Sequence, residues 1–420
     1  MTYFDVNTKI GADEKAIKET AHQFAGDVLR PAAIAIDRMP ASEAYAEGSP
    51  FWPALRQGYE LGFHKAAFPE EIGGGGLTPL QTHILLEELL WGSIGITGTM
   101  FLGAWSFGTL LATGNQKLID EFTIPFINCT DASLRGCWGV IEPDRGSDHF
   151  GHGEKFYTDP NVRGQVRATR DGDGWVLNGQ KAAWVSAAPV ATHAMLNLQI
   201  DSSRGLAGGG VCFLPLNLPG VSKGKPLEKI GQRDLPQGEL FFDNVRIPGY
   251  YMFAEPDNFP PMVMAQLGHG NSFMSILATS IGRACLEECL DYTKNRIQGG
   301  KRLCDQYAMK IRLHRMFGKV EACRAMSRAV WELNNTVHPP LAEYAFAAKV
   351  FCTEMAMEVA QEAIRIHGGN GMTKEYLVEK LYRDAAPLST EDGDNNALSR
   401  AGGEIIKDTY PRLDGFYQME

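Results

Sequence analysis

Two adjacent carboxylates, Glu391 and Asp392, stand directly before Gly393 near the end of the chain. A glycine-rich run at residues 367–371 precedes them. Glycines allow a backbone to approach a ligand closely, and a carboxylate in a turn beside such a site can serve as a base. This combination predicts a ligand site at which a carboxylate removes a proton.

The composition limits the class of protein. The chain has 420 residues, 44% hydrophobic and 21% charged, which is typical of a soluble globular protein with more than one domain. A net charge of -10 argues against general binding to nucleic acid or anionic membranes, although a local basic pocket could hold a phosphorylated ligand. The cysteines form no CxxC pair, the N-terminus has no apolar signal region, and no stretch reaches the length of a membrane span. We therefore expect a cytoplasmic protein without disulfides.

Three regions would have to position the two carboxylates. Residues 1–132 and residues 251–420 carry apolar side chains at helical spacing. Between them, residues 133–250 contain short alternating stretches and turn pairs such as Asn178-Gly179, which favour tight hairpins. This order predicts an α+β fold with segregated layers. No GxGxxG motif stands between a strand and a helix, so a Rossmann domain has no support.

Several segments resemble the motifs of one family in their order along the chain. They are IEPDRGSD at 141–148, NGQKAAWVS at 178–186, GQRDLPQGELFFDNVRIP at 231–248, KNRIQGGKRLCDQY at 294–307, and the run at 366–395. Together they resemble the acyl-CoA dehydrogenase family, flavoproteins that remove two hydrogens from an acyl thioester. The resemblance implies an N-terminal helical domain, a middle β-barrel-like domain, a C-terminal four-helix bundle and bound FAD.

The first of these segments would face the flavin. By resemblance, Trp138, Val140 and Ile141 line the flavin, and Gly146 and Ser147 offer backbone N–H groups and a hydroxyl to its pyrophosphate. The family usually has threonine where Ile141 stands, so one hydroxyl directed at the flavin is missing.

The second segment would supply the other wall of the flavin site. By resemblance, Trp184 packs beside the isoalloxazine and Ser186 forms a hydrogen bond near the flavin N5. The chain has one extra residue between Lys181 and Trp184 relative to the family pattern, which leaves open the residue that faces the flavin. Alternatively, a tryptophan in a strand belongs to the core.

Further cofactor contacts are implied outside the ring site. The resemblance assigns them to Arg296, Arg365, Gly368, Gly369, Gly371 and Asp394. Arg296 would reach the FAD of a neighbouring subunit, because a guanidinium offers a bidentate fork to a pyrophosphate; a solvated arginine at a helix end is the alternative. The glycine turn would receive the adenosine end of the partner's FAD, so the site would require an oligomer, and we expect a homotetramer.

The identity of the base stays open between two residues. Alignment from Arg383 places Asp392 on the family's catalytic glutamate and Glu391 one residue before it. An aspartate is shorter by about 1.5 Å, and misplacement of that size can cost about a hundredfold in rate. Neighbouring side chains in an extended turn point apart, so we expect one of the two carboxylates to face the flavin, and we favour Asp392.

The resemblance implies FAD-dependent α,β-dehydrogenation of an acyl-CoA, with electrons passed to an electron-transfer flavoprotein or a similar acceptor. A first alternative is an oxidase similar to nitroalkane oxidase, because Asp392, Gly393, Asn395 and Arg400 loosely match its motif. A second is a non-catalytic flavin-binding subunit of a mixed oligomer, because the usual threonine, glutamine and arginine are missing from their family positions.

Overall fold

The computed structural model describes residue 6 and residues 10–409 of the chain. Helices come first, strands follow, and helices return, which confirms the predicted α+β class. The N-terminal helices are α1 (Ala12–Phe24), α2 (Arg30–Asp37), α3 (Ala41–Ala44), α4 (Phe51–Glu60), α5 (Pro79–Gly92), α6 (Ile94–Gly108), α7 (Gln116–Leu118) and α8 (Ile124–Asn128). Helix α5 begins at a capping box of Thr78 and Gln81, which satisfies backbone N–H groups at its first turn.

The middle of the chain folds into one eight-stranded sheet. Its strands are β1 (Gly136–Gly139), β2 (Arg167–Asp171), β3 (Gly174–Ser186), β4 (His193–Gln199), β5 (Gly209–Pro215), β6 (Val221–Lys223), β7 (Gln237–Ile247) and β8 (Met252–Ala254). They pair in the order β6-β7-β3-β2-β4-β5-β8, with β1 parallel to β4. Because β8 pairs with β5 beyond residue 250, we propose that the boundary with the last domain lies between Ala254 and Phe259.

The pairing of β3 with β7 contains an irregularity near the site. Its register shifts between Lys181 and Val185. A β-bulge accommodates an extra residue in one strand and redirects the side chains after it. Between these two pairs β3 advances by four residues and β7 by two, so the irregularity lies in the stretch of β3 that carries Trp184.

Long helices form the C-terminal region. They are α9 (Phe259–Asn295), α10 (Tyr307–Asn334), α11 (Ala342–His367), α12 (Leu377–Ala385) and α13 (Asn395–Thr409), and a short hairpin of β9 (Ile297–Gln298) and β10 (Lys301–Arg302) joins α9 to α10. Helix α9 packs against α5, α10, α11 and α12, and α13 packs against α11. One hydrophobic cluster fills the N-terminal helices and the sheet, and a second lies mainly in this bundle.

The expectation that no stretch reaches the length of a membrane span requires a correction. The segment Ile94–Thr113 is long and apolar enough to cross a membrane by length and composition. Within this segment, 61% of the apolar window is buried inside the fold. A core helix of a soluble protein passes the same test of length and composition.

Candidate active site

A cavity of about 490 Å³ lies where the three regions of the chain meet. Its walls come from α6, from β1 and the loop after it, from the end of β3, from the loop before β7, from α9 and from the turn before α13. All seven residues that the first two motifs predicted beside the flavin ring or its pyrophosphate line it: Trp138, Val140, Ile141, Gly146, Ser147, Trp184 and Ser186. The cavity therefore brings together segments that are far apart in the sequence.

Tryptophans form two of its walls. Trp138 is buried, and its indole Nε1 donates to the Asn197 side chain at 3.0 Å. Trp105 of α6 packs edge-on against Trp138, with ring centroids 4.8 Å apart. Trp184 is 57% exposed although it stands in a strand, so it is a cavity wall and not a core residue. These surfaces suit a flat ring system.

The end of β3 is held by a glutamine that the sequence did not single out. The Gln237 side-chain amide donates to the Ser186 hydroxyl at 3.0 Å and to the Trp184 carbonyl at 3.3 Å. Gln237 lies across the sheet from Ser186, on β7. This contact follows from strand pairing, and no local motif could have revealed it.

The loop after β1 offers a hydroxyl beside open space. Ser147 Oγ accepts the backbone N–H of Asp394 at 3.0 Å, so its own hydrogen can point to a ligand. A Cβ built on Gly146 would meet no atom within 4 Å. The cavity therefore has room for a ligand group beside the Ser147 hydroxyl, whereas the Gly146 N–H, predicted to serve the pyrophosphate, donates to the Asp148 carboxylate at 2.6 Å.

Both carboxylates, Glu391 and Asp392, line the cavity. The turn is not extended, because Asp392 has φ +49° and Gly393 has φ +106°. Which of the two carboxylates faces the flavin stays a prediction. These left-handed residues curl the backbone, and aspartate tolerates that conformation better than most side chains. Asp392 Oδ2 lies 3.7 Å from the position of a Cβ on Gly270, at the surface that α9 shares with Trp138.

Burial makes both acids weaker. It raises the pKa of Glu391 to about 7, against the opposing effect of a hydrogen bond from the Gln232 side chain at 2.9 Å. Burial also raises the pKa of Asp392, and the nearby Lys349 opposes that rise. Carboxylates that titrate closer to neutral pH than usual are suited to proton transfer.

Gln232 connects the carboxylate turn to α12. Its backbone N–H donates to the Asp384 carboxylate at 2.6 Å, and its side chain reaches both Glu391 and the Asp384 carbonyl. Its Oε1 atom is buried without a hydrogen-bond partner. An unsatisfied acceptor in a residue that lines the cavity is a position for a ligand donor.

The other predicted cofactor residues do not line this chain's cavity: Arg296, Arg365, Gly368, Gly369, Gly371 and Asp394. Arg296 is exposed at the end of α9, and the exposed Arg365 pairs with Glu362 at 3.6 Å. Their predicted contacts, like those of the glycine turn, belong to a neighbouring subunit and stay predictions.

Asp394 has a local function that the sequence did not indicate. Its carboxylate accepts the backbone N–H groups of Asn396 at 2.9 Å and Ala397 at 3.3 Å, which caps the first turn of α13. The predicted contact of Asp394 with the flavin stays a prediction.

Family models for the N-terminal, middle and C-terminal domains of acyl-CoA dehydrogenases match residues 11–128, 137–245 and 261–406. Together with the helical and β layers around an aromatic cavity, these matches define an FAD-dependent oxidoreductase. The chain belongs to the acyl-CoA dehydrogenase family.

Individual relatives cover nearly the whole chain. The protein is 30% identical to the glutaryl-CoA dehydrogenase of Desulfococcus multivorans over 358 residues, which are 83% of this chain and 86% of that protein. It is 27% identical to a probable acyl-CoA dehydrogenase of Bacillus subtilis over 92% of this chain and 96% of that one. The structure of butyryl-CoA dehydrogenase from Megasphaera elsdenii superposes with a TM-score of 0.84 at 25% identity, covering 96% of this chain and all of the other.

The residues present fit FAD on structural grounds. Aromatic and aliphatic walls suit the isoalloxazine, open space at Gly146 beside the Ser147 hydroxyl suits a phosphate, and the unsatisfied Gln232 oxygen can accept a hydrogen bond. The cavity lies within one subunit, and the contacts that the resemblance implies for the distal part of FAD stay predictions.

We expect Arg296→Ala to weaken FAD retention by at least about tenfold, because one charge-assisted contact to a phosphate would be lost. Flavin content after gel filtration of the purified protein measures the effect. Arg302→Ala is the matched control, since Arg302 is also exposed on the adjoining hairpin but pairs with Asp305 at 3.0 Å. Full FAD occupancy in a stable monomer would contradict a site shared between subunits.

Proposed function

We propose that the protein catalyses the α,β-dehydrogenation of an acyl-CoA thioester, with Asp392 as the base. The observation that carries the proposal is the position of the Asp392 carboxylate, which lies inside the cavity between α9 and the tryptophan wall. Burial raises its pKa, so it binds a proton more readily than an exposed aspartate.

Bound FAD supplies the acceptor for the hydride that leaves the β-carbon. Asp392 takes the α-proton, and the apolar walls exclude water from the reacting carbons. The backbone N–H of Asp392 would polarise the thioester oxygen, on which negative charge develops as the proton leaves. Gln232 donates a hydrogen bond to Glu391 at 2.9 Å, which fixes the position of the carboxylate next to Asp392.

The proposed acyl end of the cavity is apolar. The lining residues from α6 and α9 are Ile94, Gly98, Phe101, Leu102, Trp105, Gly270, Phe273, Met274 and Leu277, none of which carries a charge. The rings of Phe101 and Phe273 stack 3.7 Å apart and connect the two helices. An uncharged acyl chain would be stabilised there, whereas a terminal carboxylate would lose its hydration without gaining a partner.

The assembly and the acceptor belong to the same proposal. Exposed Arg296 and the glycine turn would reach the FAD of a second copy, so we propose a homotetramer located in the cytoplasm. An electron-transfer flavoprotein or a similar acceptor would then take up the electrons.

Anaerobic addition of acyl-CoAs to the FAD-loaded protein tests the reaction. We expect butyryl-CoA or a longer uncharged acyl-CoA to bleach the flavin, glutaryl-CoA to bleach it much more slowly, and steady turnover to need an artificial electron acceptor. Retention of the flavin colour with every acyl-CoA would instead favour a non-catalytic subunit.

The same experiment separates the oxidase alternative. Consumption of nitroalkanes with release of peroxide, and no reaction with acyl-CoAs, would overturn the dehydrogenase proposal. Arg400, which the oxidase motif would place near the base, pairs with Glu154 and does not line the cavity, so this residue does not support the oxidase alternative.

A further inference from the structure

Lys349 of α11 is a fully buried lysine that the reaction described above does not use. Its side chain is completely inaccessible to solvent, and Ala345, Ala348 and Cys352 of the same helix are buried around it. Burying an ammonium group is costly unless hydrogen bonds and nearby negative charge compensate for lost hydration. The position of Lys349 therefore calls for partners of that kind.

Its hydrogen bonds go to the segment that follows the two cavity carboxylates. Lys349 Nζ donates to the Gly393 carbonyl at 2.7 Å and to the Asn395 side-chain oxygen at 2.7 Å. One turn further along α11, the Thr353 hydroxyl accepts from the Asn395 side chain at 3.1 Å. One face of α11 thus fixes the turn through two residues, and both acceptors of the ammonium are neutral groups.

The compensating negative charge comes from the same turn. The carboxylates of Asp392, Glu391 and Asp394 favour the charged ammonium, while burial opposes it more strongly, and the balance lowers the pKa of Lys349 to about 8. The amine is therefore mostly protonated at neutral pH. In return, its charge acts on Asp392 against the effect of burial.

Other elements contribute less charge at Asp392. Lys229, from the loop before β7, acts on Glu391 and donates its own hydrogen bonds to the Leu235 carbonyl and the Gln237 side chain. Helix α9 reaches the turn with the neutral amide of Asn271, which donates to the Asp392 carbonyl at 3.3 Å. Lys349 is accordingly the cation whose charge bears on Asp392.

We propose that Lys349 is a positioning residue, which anchors the carboxylate turn to α11 and supplies the positive charge that keeps Asp392 ionised until it takes a proton. This inference deepens the proposed function and rests on Asp392 as the base. Lys349 does not line the cavity, so it acts through Asp392 and not on the substrate.

Infrared titration of the carboxyl groups in the FAD-loaded protein without substrate tests the coupling directly. The band of Asp392 is assigned by its loss in Asp392→Asn. In Lys349→Met, we expect the pH at which Asp392 becomes protonated to rise by about one unit, because Lys349 bonds the carbonyl of the next residue and its charge favours the ionised Asp392. Lys349→Arg keeps the charge and should shift the midpoint far less.

Thr353→Val is the matched control. It removes a contact to Asn395 from the same face of α11 without removing a charge, so the Asp392 midpoint should stay at its wild-type value. A purely structural function of Lys349 predicts equal midpoints in folded Lys349→Met and wild type, and that result would overturn the proposal.

A second measurement needs no Lys349 variant, in case Lys349→Met does not fold. It uses Glu391→Gln, because burial raises the pKa of Glu391, beside Asp392, to about 7. In that variant, the carboxylate band of Asp392 should shift near pH 8 as Lys349 loses its proton; an unchanged band between pH 7 and about 9 would overturn the proposal. Failure of the proposed function looks different: Asp392→Asn would then reduce flavin normally while the coupling between Lys349 and Asp392 persisted.

Discussion

Asp392→Asn should retain FAD and bind acyl-CoA, yet lose flavin reduction by about 10²- to 10⁴-fold, the usual contribution of a general base. The replacement is nearly isosteric but cannot accept the proton. Asparagine also tolerates the left-handed backbone at this position, where φ is +49°. Anaerobic stopped-flow measurement of flavin bleaching gives the rate, and equilibrium binding of an acyl-CoA shows whether the site is intact.

Glu391→Gln is the matched comparison, because Glu391 lines the same cavity from the adjacent position. The glutamine can still interact with Gln232, so we expect a much smaller loss of rate. Rapid reduction in Asp392→Asn with none in Glu391→Gln would transfer the base to Glu391. Normal reduction in both variants would place the base elsewhere and refute the mechanism.

Gly95→Ala should produce a large loss of stability, lowering the free energy of unfolding by about 3 kcal/mol. A Cβ at Gly95 would lie 2.0 Å from the backbone carbon of Asp234 and 2.1 Å from the backbone nitrogen of Leu235. Backbone atoms cannot rotate away, so α6 would have to separate from the loop before β7. That movement also threatens the hydrogen bond from the Gly95 N–H to the Asp234 carboxylate at 3.0 Å.

Gly98→Ala, one turn further along α6, is the control. Its Cβ would meet only the end of the Leu235 side chain, at an ordinary 3.7 Å, and alanine is favoured over glycine in a helix by about 1 kcal/mol. Denaturant unfolding of the two variants measures the contrast. Equal stabilities would show that α6 does not pack on this loop as described.

Much of the cavity could be predicted because its motifs are local. The resemblance to the family's motifs placed Trp138, Ser147 and Trp184 beside the flavin, and all three line the cavity. The order of helices and strands was likewise readable from the spacing of apolar residues. Such features depend on interactions between near neighbours in the chain.

The supporting residues could not be predicted because their contacts depend on how distant elements pack. Gln232 reaches Glu391 across 159 positions of sequence, and Asn271 reaches Asp392 across 121. Lys349 carried a weak signal, since it is a lone charge within the apolar run AFAAKVFC. The positive φ of Asp392 could not be predicted, because only glycine is a reliable sequence signal for a left-handed backbone.

The carboxylate turn is held by its backbone. Asn271 contacts the carbonyl of Asp392, Lys349 contacts the carbonyl of Gly393, and Ser147 accepts the N–H of Asp394. None of these three bonds involves the side chain that would perform the chemistry. The backbone of the turn is therefore fixed independently of that side chain, and a replacement that tolerates the φ of +49° at this position would leave all three bonds in place.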